Sequence, residues 1–386
     1  MIVSGAGPSG AYTAFECAKG GLEVLLLDKG ARGRRKCCAG GLLGRTVHVL
    51  DIPLPDSIIE RRVKGFSFVI EGIRYGFPIG EEVATTVRRE VLDAYLIDKA
   101  EDLGVEVLED TKVQGAIEGD SHVHVSTTRG DFDGRHLVIA EGASSRLADA
   151  LFGKNLRDKA ALGCALEVKL GVAPRDEIDL HLCSYSRSLI RPRSFPLTGA
   201  VFPLRNSVMV SFIGRNVSRN QFEQAVNGAL GVLEKEYGEL QVLGKPCYHP
   251  LPMSPRPRLH SRRALVVGDS AGLVSPFSGE GLTSAFLSAR AASEVLIEVH
   301  QDDSVSLDRY DSLCAKYVLK RLRAAGMLGP FVHCTVNLVG HRRLFSNLRK
   351  DDELVRSCAA FAKGELDVSV FALHAIPRIP RLMLGR

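Results

Sequence analysis

The chain has 386 residues, 45% of them hydrophobic, enough for a large core divided between two or three structural regions. Its net charge of +5 comes without the long Lys/Arg runs of a nucleic-acid binder, so no nucleic-acid partner is expected. The nine cysteines (Cys17, Cys37, Cys38, Cys164, Cys183, Cys247, Cys314, Cys334 and Cys358) form no CxxC pair and no secreted disulfide framework, which removes zinc and iron–sulfur readings and leaves a reducing, cytoplasmic compartment as the expectation.

In chain order, residues 1–4 read as a buried strand, 8–20 as a helix and 22–27 as a second strand, together a βαβ unit. The chain opens directly in a strand with no basic–apolar–small-residue signal pattern, and Met1 leaves that strand almost no lead-in, so a start upstream is an open expectation. Residues 64–77 alternate apolar and polar, as a half-buried antiparallel strand pair does. Residues 88–103 carry Val91, Leu92, Tyr95, Leu96 and Ala100 at helical spacing. Short strands are expected at 106–108, 112–118, 122–127 and 136–140. Residues 165–213 read as a run of strands broken by Pro and Gly, 221–237 as a helix, and the Pro-rich 246–257 as a crossover loop. A buried strand at 264–267 and a helix over 281–300 follow, and 301–386 is mostly helical. No uncharged apolar run reaches membrane-spanning length. These elements describe an α/β fold. A discontinuous nucleotide-binding domain (1–62, 86–164 and 259–300) is interrupted by an inserted antiparallel β substrate domain (63–85 and 165–258), and a helical C-terminal region (301–386) follows.

Three segments carry chemistry. GAGPSG at 5–10 lies between a strand and a helix: Gly5 permits the tight turn, Gly7 a close approach to a pyrophosphate, and Gly10 close helix–sheet packing. The helix then offers unpaired N–H groups and a positive dipole end, with Ser9 in that turn. Asp28 ends the second strand, where its carboxylate suits a ribose 2′-OH and repels a 2′-phosphate. REVLD at 89–93 is the second segment. GDSAGLVSPFSGEGL at 268–282 is the third: Asp269 suits ribityl hydroxyls, Gly279 and Gly281 allow a flat ring to approach, and the following helix points its positive end at a reduced flavin. Together the three point to FAD and to a flavin-dependent oxidoreductase.

These segments resemble the glutathione-reductase-like FAD-binding Rossmann fold of the aromatic-hydroxylase type. KCCAGGL at 36–42 is similar to the K-x-C-x-G-G segment of the geranylgeranyl reductase family, and the shared layout spans residues 1–300. The resemblance implies reduction of isolated double bonds in prenyl chains, such as those of archaeal ether phospholipids. It places Ser9 and the loop glycines on the pyrophosphate, Asp28 on the adenosine ribose, and Cys38, Ala39 and Gly41 on the flavin side. It places Arg89 at the phosphate or ribityl region, Val113 at adenine through its backbone, and Asp269, Gly281 and Leu282 at the ribityl chain and ring. The family's Y-x-W-x-F-P…G-x-G lipid-cavity motif is matched at Phe202, Pro203 and Gly214. Thr198, Ala200 and Phe212 depart from it and imply a reshaped pocket, which the loop 192–196 would flank.

Cys37 and Cys38 follow a basic run at 32–36, and nearby cations favour thiolate. Cys38 is the family-aligned candidate for a catalytic thiol; a small spacer in a tight loop is the other reading. Two rival functions share the FAD motifs. A monooxygenase or halogenase is one, although the halogenase W-x-W-x-I-P segment needs tryptophan and this chain has none. A flavin-free prenyl-binding protein is the other, although Asp28 and Asp269 are kept. No second dinucleotide fingerprint occurs, so the electron donor is expected to be a ferredoxin or a transiently docking NAD(P)H. Residues 331–386 hold nine Lys/Arg against five Asp/Glu, interleaved near the end with apolar residues. Peripheral contact with the inner face of the cell membrane is expected there.

Overall fold

The computed structural model describes residues 1–154, 161–182, 197–302, 304–327, 341–348 and 350–378. Runs of three mainly apolar residues make its first sheet. Ile2–Ser4, Leu25–Leu27, Glu106–Leu108, Leu137–Ile139 and Ala264–Val266 pair in parallel, in the order 264–266, 137–139, 2–4, 25–27, 106–108. A parallel sheet is covered on both faces, which is why its central strands are apolar except for Ser4. Val3, Leu26, Val138 and Leu265 are fully buried. The helices Pro8–Lys19 and Leu282–Gln301 pack together, and both bury small residues, Ala11, Ala14, Ala289 and Ala292 among them. Tyr12 and Phe286 meet edge to face at 5.3 Å, and Ser293 Oγ donates to Thr13 O. A three-stranded antiparallel sheet, Val113–Glu118, Val123–Thr127 and Gly130–Gly134, belongs to the same unit.

The second unit is built on a seven-stranded sheet in the order 240–251, 161–170, 207–214, 198–203, 177–182, 65–70, 73–78. From 161–170 to 73–78 the neighbouring strands pair antiparallel except for Glu177–Leu182 beside Gly65–Ile70, which is parallel. One face packs Leu166, Val168, Val210 and Phe212 against Phe222, Val226 and Leu233 of the helix Arg219–Tyr237. That helix starts with a full capping box, in which Ser218 and Gln221 satisfy each other's backbone N–H. C-terminal residues cover other strands of this sheet: Leu344, Phe345 and Leu354 pack with Tyr75 and Phe77, and Ala359 with Ile178.

The compact units are residues 1–36, 89–160 and 250–323, and residues 37–88, 161–249 and 324–386. Several sequence boundaries therefore move. Residues 37–62 fall in the second unit because Gly41–Leu43 and Ile59–Val63 both pair with Ala84–Val87. Residues 250–258 fall in the first, where Val274 N donates to Pro252 O and Arg256 N to Ala271 O. Residues 301–323 join the first unit as well, anchored by the fully buried Tyr310, whose hydroxyl donates to Val266 O at 2.8 Å. The expected loop over 246–257 is half strand. Leu240–Leu251 runs through Pro246 and Pro250, tolerated because it is a sheet edge. Cys183, Cys334, the loop 192–196 and residues 379–386 lie outside the described residues.

Candidate functional site

The first unit assembles a nucleotide cradle from contiguous turns. Gly5 has φ +103°, and its N–H donates to Leu27 O at 2.7 Å. A Cβ on Gly5 would lie 2.4 Å from Ala140 O, and one on Gly10 would lie 1.8 Å from Gly5 O, so both positions exclude a side chain. Gly7 differs. It is the N-cap of the helix Pro8–Lys19, and a Cβ there would meet no described atom within 4 Å. This opening faces the end of a helix whose first-turn N–H groups lack intrahelical partners, as a pyrophosphate site requires. Ser9 is buried, and its Oγ lies 2.6 Å from where a Cβ on Gly268 would stand, so the first and third motifs meet here.

Asp28 is 4% exposed and fully engaged. Its Oδ2 accepts from Ala6 N at 2.7 Å and Arg34 Nη2 at 2.9 Å; its Oδ1 accepts from Gly30 N at 3.0 Å and pairs with Arg34 Nη1 at 2.6 Å. The Arg34 fork thus holds the acceptor positions that an adenosine ribose would use. Sequence reasoning gave Arg34 no such role, although it stands only six residues after Asp28. Arg89 likewise lies against a carboxylate, forked onto buried Asp93 at 2.9 and 3.1 Å. Lys36 completes this cluster; burial and then Arg34 lower its pKa, while Asp93 and Asp28 oppose them. Val113 is buried and opens an edge strand, paired with Thr127 on one side.

The third motif lies at the carboxyl end of Ala264–Val266. A short 3₁₀ turn, Gly268–Ala271, carries Asp269. A Cβ on Gly281 would come within 3.1 Å of Asp269 Oδ1, so the carboxylate sits over the residue that N-caps Leu282–Gln301. Leu282 is buried in the first turn of that helix. A carboxylate acceptor beside a helix N-terminus fits a ribityl chain and an electron-rich ring together. Ser9, Asp28, Arg89, Val113, Asp269, Gly281, Leu282 and the loop glycines therefore belong to one unit.

Cys38, Ala39, Gly41, Phe202 and Pro203 belong to the other unit. The Cys38–Gly41 turn is fixed by Gly40, whose N–H donates to Cys38 Sγ at 3.5 Å and whose O accepts from Val87 N at 2.9 Å. Ala39 lies within this turn, half-buried. Gly41 and Phe202 are in direct contact, and a Cβ on Gly41 would stand 2.3 Å from the Phe202 ring. Thr86, which sequence reasoning missed, donates from Oγ1 to Pro203 O at 2.6 Å and joins the two segments. Beside Phe202 the register aligns Phe68, Leu180, Ala200 and Ser211 in one half-buried, mainly apolar row. Ala200, where the family motif carries Trp, packs with Leu180 and Phe202 against the cluster of Val63, Val83, Ala84, Ile178 and Ala359.

One expectation reverses. The basic run does not acidify Cys37: burial and then a hydrogen bond with the Cys247 thiol push its pKa up. Two of the nearby cations are committed elsewhere, Arg32 to Glu109, Asp98 and Glu101, and Arg34 to Asp28. Among the described residues no His/Cys/Asp/Glu group could hold a metal ion.

Comparison with known proteins agrees with this cradle. The family described as FAD binding domain matches residues 1–325. The chain is 28% identical over 335 residues to the chloroplastic geranylgeranyl diphosphate reductase of Arabidopsis thaliana, covering 81% of this chain and 68% of that one. It is 26% identical over 349 residues to digeranylgeranylglycerophospholipid reductase 1 of Methanopyrus kandleri, covering 80% and 84%. A geranylgeranyl bacteriochlorophyll reductase-like structure from Thermoplasma acidophilum superposes with a TM-score of 0.74 at 20% identity, over 99% of this chain and 94% of that one, and shows a shared fold.

Proposed function

The chain belongs to the FAD binding domain family, a flavin-dependent oxidoreductase with FAD as cofactor, and on that footing we propose that it reduces isolated carbon–carbon double bonds in the geranylgeranyl chains of an archaeal-type ether phospholipid. One observation carries the substrate class: the half-buried row Phe68–Leu180–Ala200 on the face where Phe202 meets Gly41. Such a row suits hydrocarbon and leaves a polar aromatic substrate's hydroxyls without partners. The relatives named as prenyl reductases support the same reading.

When bound, FAD supplies the hydride for one alkene carbon. The Gly7 opening and the helix behind it would hold the pyrophosphate, and Asp28 would take the adenosine ribose in place of the Arg34 fork. Asp269 and the N-terminus at Gly281 hold the ribityl chain and the ring. An isolated alkene has no carbonyl to polarise, so the site must supply alignment, dryness and a placed proton. The apolar row binds the chain and excludes water. The Cys38 thiol holds the proton for the second carbon. A ferredoxin or NAD(P)H reloads the site with electrons. Exposed Val370, Leu373 and Ile376 rest on the membrane that carries the lipid.

Anaerobic single turnover tests this. The bound flavin is reduced chemically, a geranylgeranyl ether phospholipid is added, and flavin reoxidation is followed while mass spectrometry counts added hydrogens. We expect reoxidation matched by saturated double bonds. Cys38→Ser should keep FAD and slow the step tenfold or more, about 1.4 kcal/mol of barrier. Full speed in that variant makes Cys38 a spacer. Reoxidation by menaquinone or geranylgeranyl diphosphate but not by the ether lipid changes the carrier. No reoxidation by any prenyl compound, with oxygen consumed in the presence of an aromatic substrate, would establish a monooxygenase.

A further inference from the structure

Cys38, Cys164 and Cys247 all lie near Cys37 in the second unit, and Cys37 meets Cys247 directly. Cys37 Sγ donates to the backbone O of Cys247 at 2.9 Å, and the Cys247 thiol is close enough to help raise the Cys37 pKa. Cys37 is half-buried, immediately before the Cys38–Gly41 turn. Cys247 is exposed on the edge strand Leu240–Leu251. Both belong to one compact unit. Cys38 is turned instead toward Gly40 N, and Cys164 is buried in the sheet core.

We propose that Cys37 and Cys247 form a reversible disulfide that pins the segment carrying Cys38, Ala39 and Gly41 to the edge strand Leu240–Leu251. A disulfide needs the two Cβ atoms at roughly 4 Å. Cys37 Sγ, seated 2.9 Å from the Cys247 backbone oxygen, already lies within reach of that residue, and χ1 rotation at each cysteine swings the two sulfurs toward one another about fixed Cβ atoms. The oxidant is a low-molecular-weight disulfide, RSSR. Cys247 is the exposed thiol, so it attacks first as thiolate, forming Cys247–S–S–R and expelling one thiolate, RS⁻. Cys37 then loses its proton and attacks Cys247 Sγ, forming the Cys37–Cys247 bond and expelling the second RS⁻. Two electrons pass to RSSR, and the two protons leave as 2 RSH. Burial keeps Cys37 protonated, which suits it to the resolving step rather than to the first attack. An excess of small thiol reverses both steps. The bridge does not depend on which lipid is reduced.

The flavoprotein is equilibrated with glutathione at increasing oxidised-to-reduced ratios, acid-quenched and unfolded, its free thiols are blocked with a maleimide in denaturant, and it is digested without reduction for mass spectrometry. The expected product is one cross-linked peptide pair containing Cys37 and Cys247, lost on adding dithiothreitol, with Cys38 and Cys164 still alkylated. Cys37→Ser should stop the reaction at a glutathionylated Cys247, and Cys247→Ser should leave Cys37 alkylated. If either variant does not fold, the wild-type map alone decides. Hydrogen exchange of residues 38–43 should slow at least fivefold on oxidation and recover on reduction. Alkylation of both cysteines at every ratio overturns the proposal, as does a bridge from Cys37 to Cys38 or Cys164.

Discussion

Asp28 does two jobs with one carboxylate. Its bonds from Ala6 N and Gly30 N tie the first turn to the end of the second strand, while the Arg34 fork fills the remaining acceptor positions. Removing it therefore costs stability as well as affinity. Asp28→Ala should lower the unfolding free energy of the FAD-free protein by about 1–3 kcal/mol, since buried N–H groups lose their acceptor. It should also weaken FAD binding tenfold or more, because a charge-assisted bond of about 1.5–3 kcal/mol disappears. Urea unfolding of the apoprotein and fluorescence titration with FAD separate the two effects. Unchanged FAD affinity would remove Asp28 from the ribose site. Asp269 stands over Gly281 rather than inside the turn of the first motif, so Asp269→Ala should reduce FAD retention through the ribityl contact. Equal retention in a dialysis experiment would contradict that role.

At the scale of elements, the strand Glu177–Leu182 sends Ile178 and Leu180 toward the apolar row and Asp179 and His181 to the opposite face. There Asp179 pairs with Arg74, which also meets Glu177 and Glu236, and His181 sits edge-on to Phe212. Burial raises the Asp179 pKa to about 6, with Arg74 opposing, and lowers the His181 pKa to about 4, with Arg74 assisting. The signs oppose each other. A carboxyl with a raised folded pKa gains stability as pH falls through about 6 toward its unfolded 3.8. A histidine with a lowered folded pKa loses stability as pH falls from its unfolded 6.5 through about 4. The wild type should thus change little over that window. Asp179→Asn should lose stability steeply on acidification, and His181→Gln should gain it. Urea midpoints measured across the window decide, and parallel curves for all three proteins would disprove the balance. A second element-level test concerns the strands Gly41–Leu43 and Thr198–Pro203. Gly41→Ala should cost about 1–3 kcal/mol by overpacking against Phe202, and Phe202→Leu should recover part of that cost. Simple additivity of the two changes would mean that the contact is not what excludes a side chain at Gly41.

Across the whole molecule, legibility in the sequence followed locality. The nucleotide cradle was readable because its contacts come from short contiguous turns, where glycine, a following helix and a terminal aspartate are dictated by one ligand. The same logic missed Gly41–Leu43, Ile59–Val63 and Ala84–Val87, strands too short to show a period and paired across tens of residues. It also missed the Cys37–Cys247 contact, whose partners are 210 residues apart, and it read Pro246 and Pro250 as loop because edge status is a tertiary property. The C-terminal region shows the same limit. Its basic excess suggested arginines facing anionic lipid, yet Arg378 is held by Glu353 and Asp351. Apolar side chains face outward as well: Leu373 is 71% exposed, with Val370 and Ile376 beside it, while Arg342, Arg343, Lys350 and Arg356 are exposed elsewhere in the region. Among the described residues no helix is long and apolar enough to cross a membrane, so contact would be interfacial. Sedimentation with anionic phospholipid vesicles should therefore depend on these side chains more than on Arg378. Leu373→Glu should cut the bound fraction about tenfold or more, since one buried leucine is worth about 1.5–3 kcal/mol. Arg378→Gln should bind nearly as wild type does, because that guanidinium is already neutralised within the chain. Equal binding by wild type and Leu373→Glu, or loss of binding in Arg378→Gln alone, would return the contact to the electrostatic anchor that the sequence first suggested.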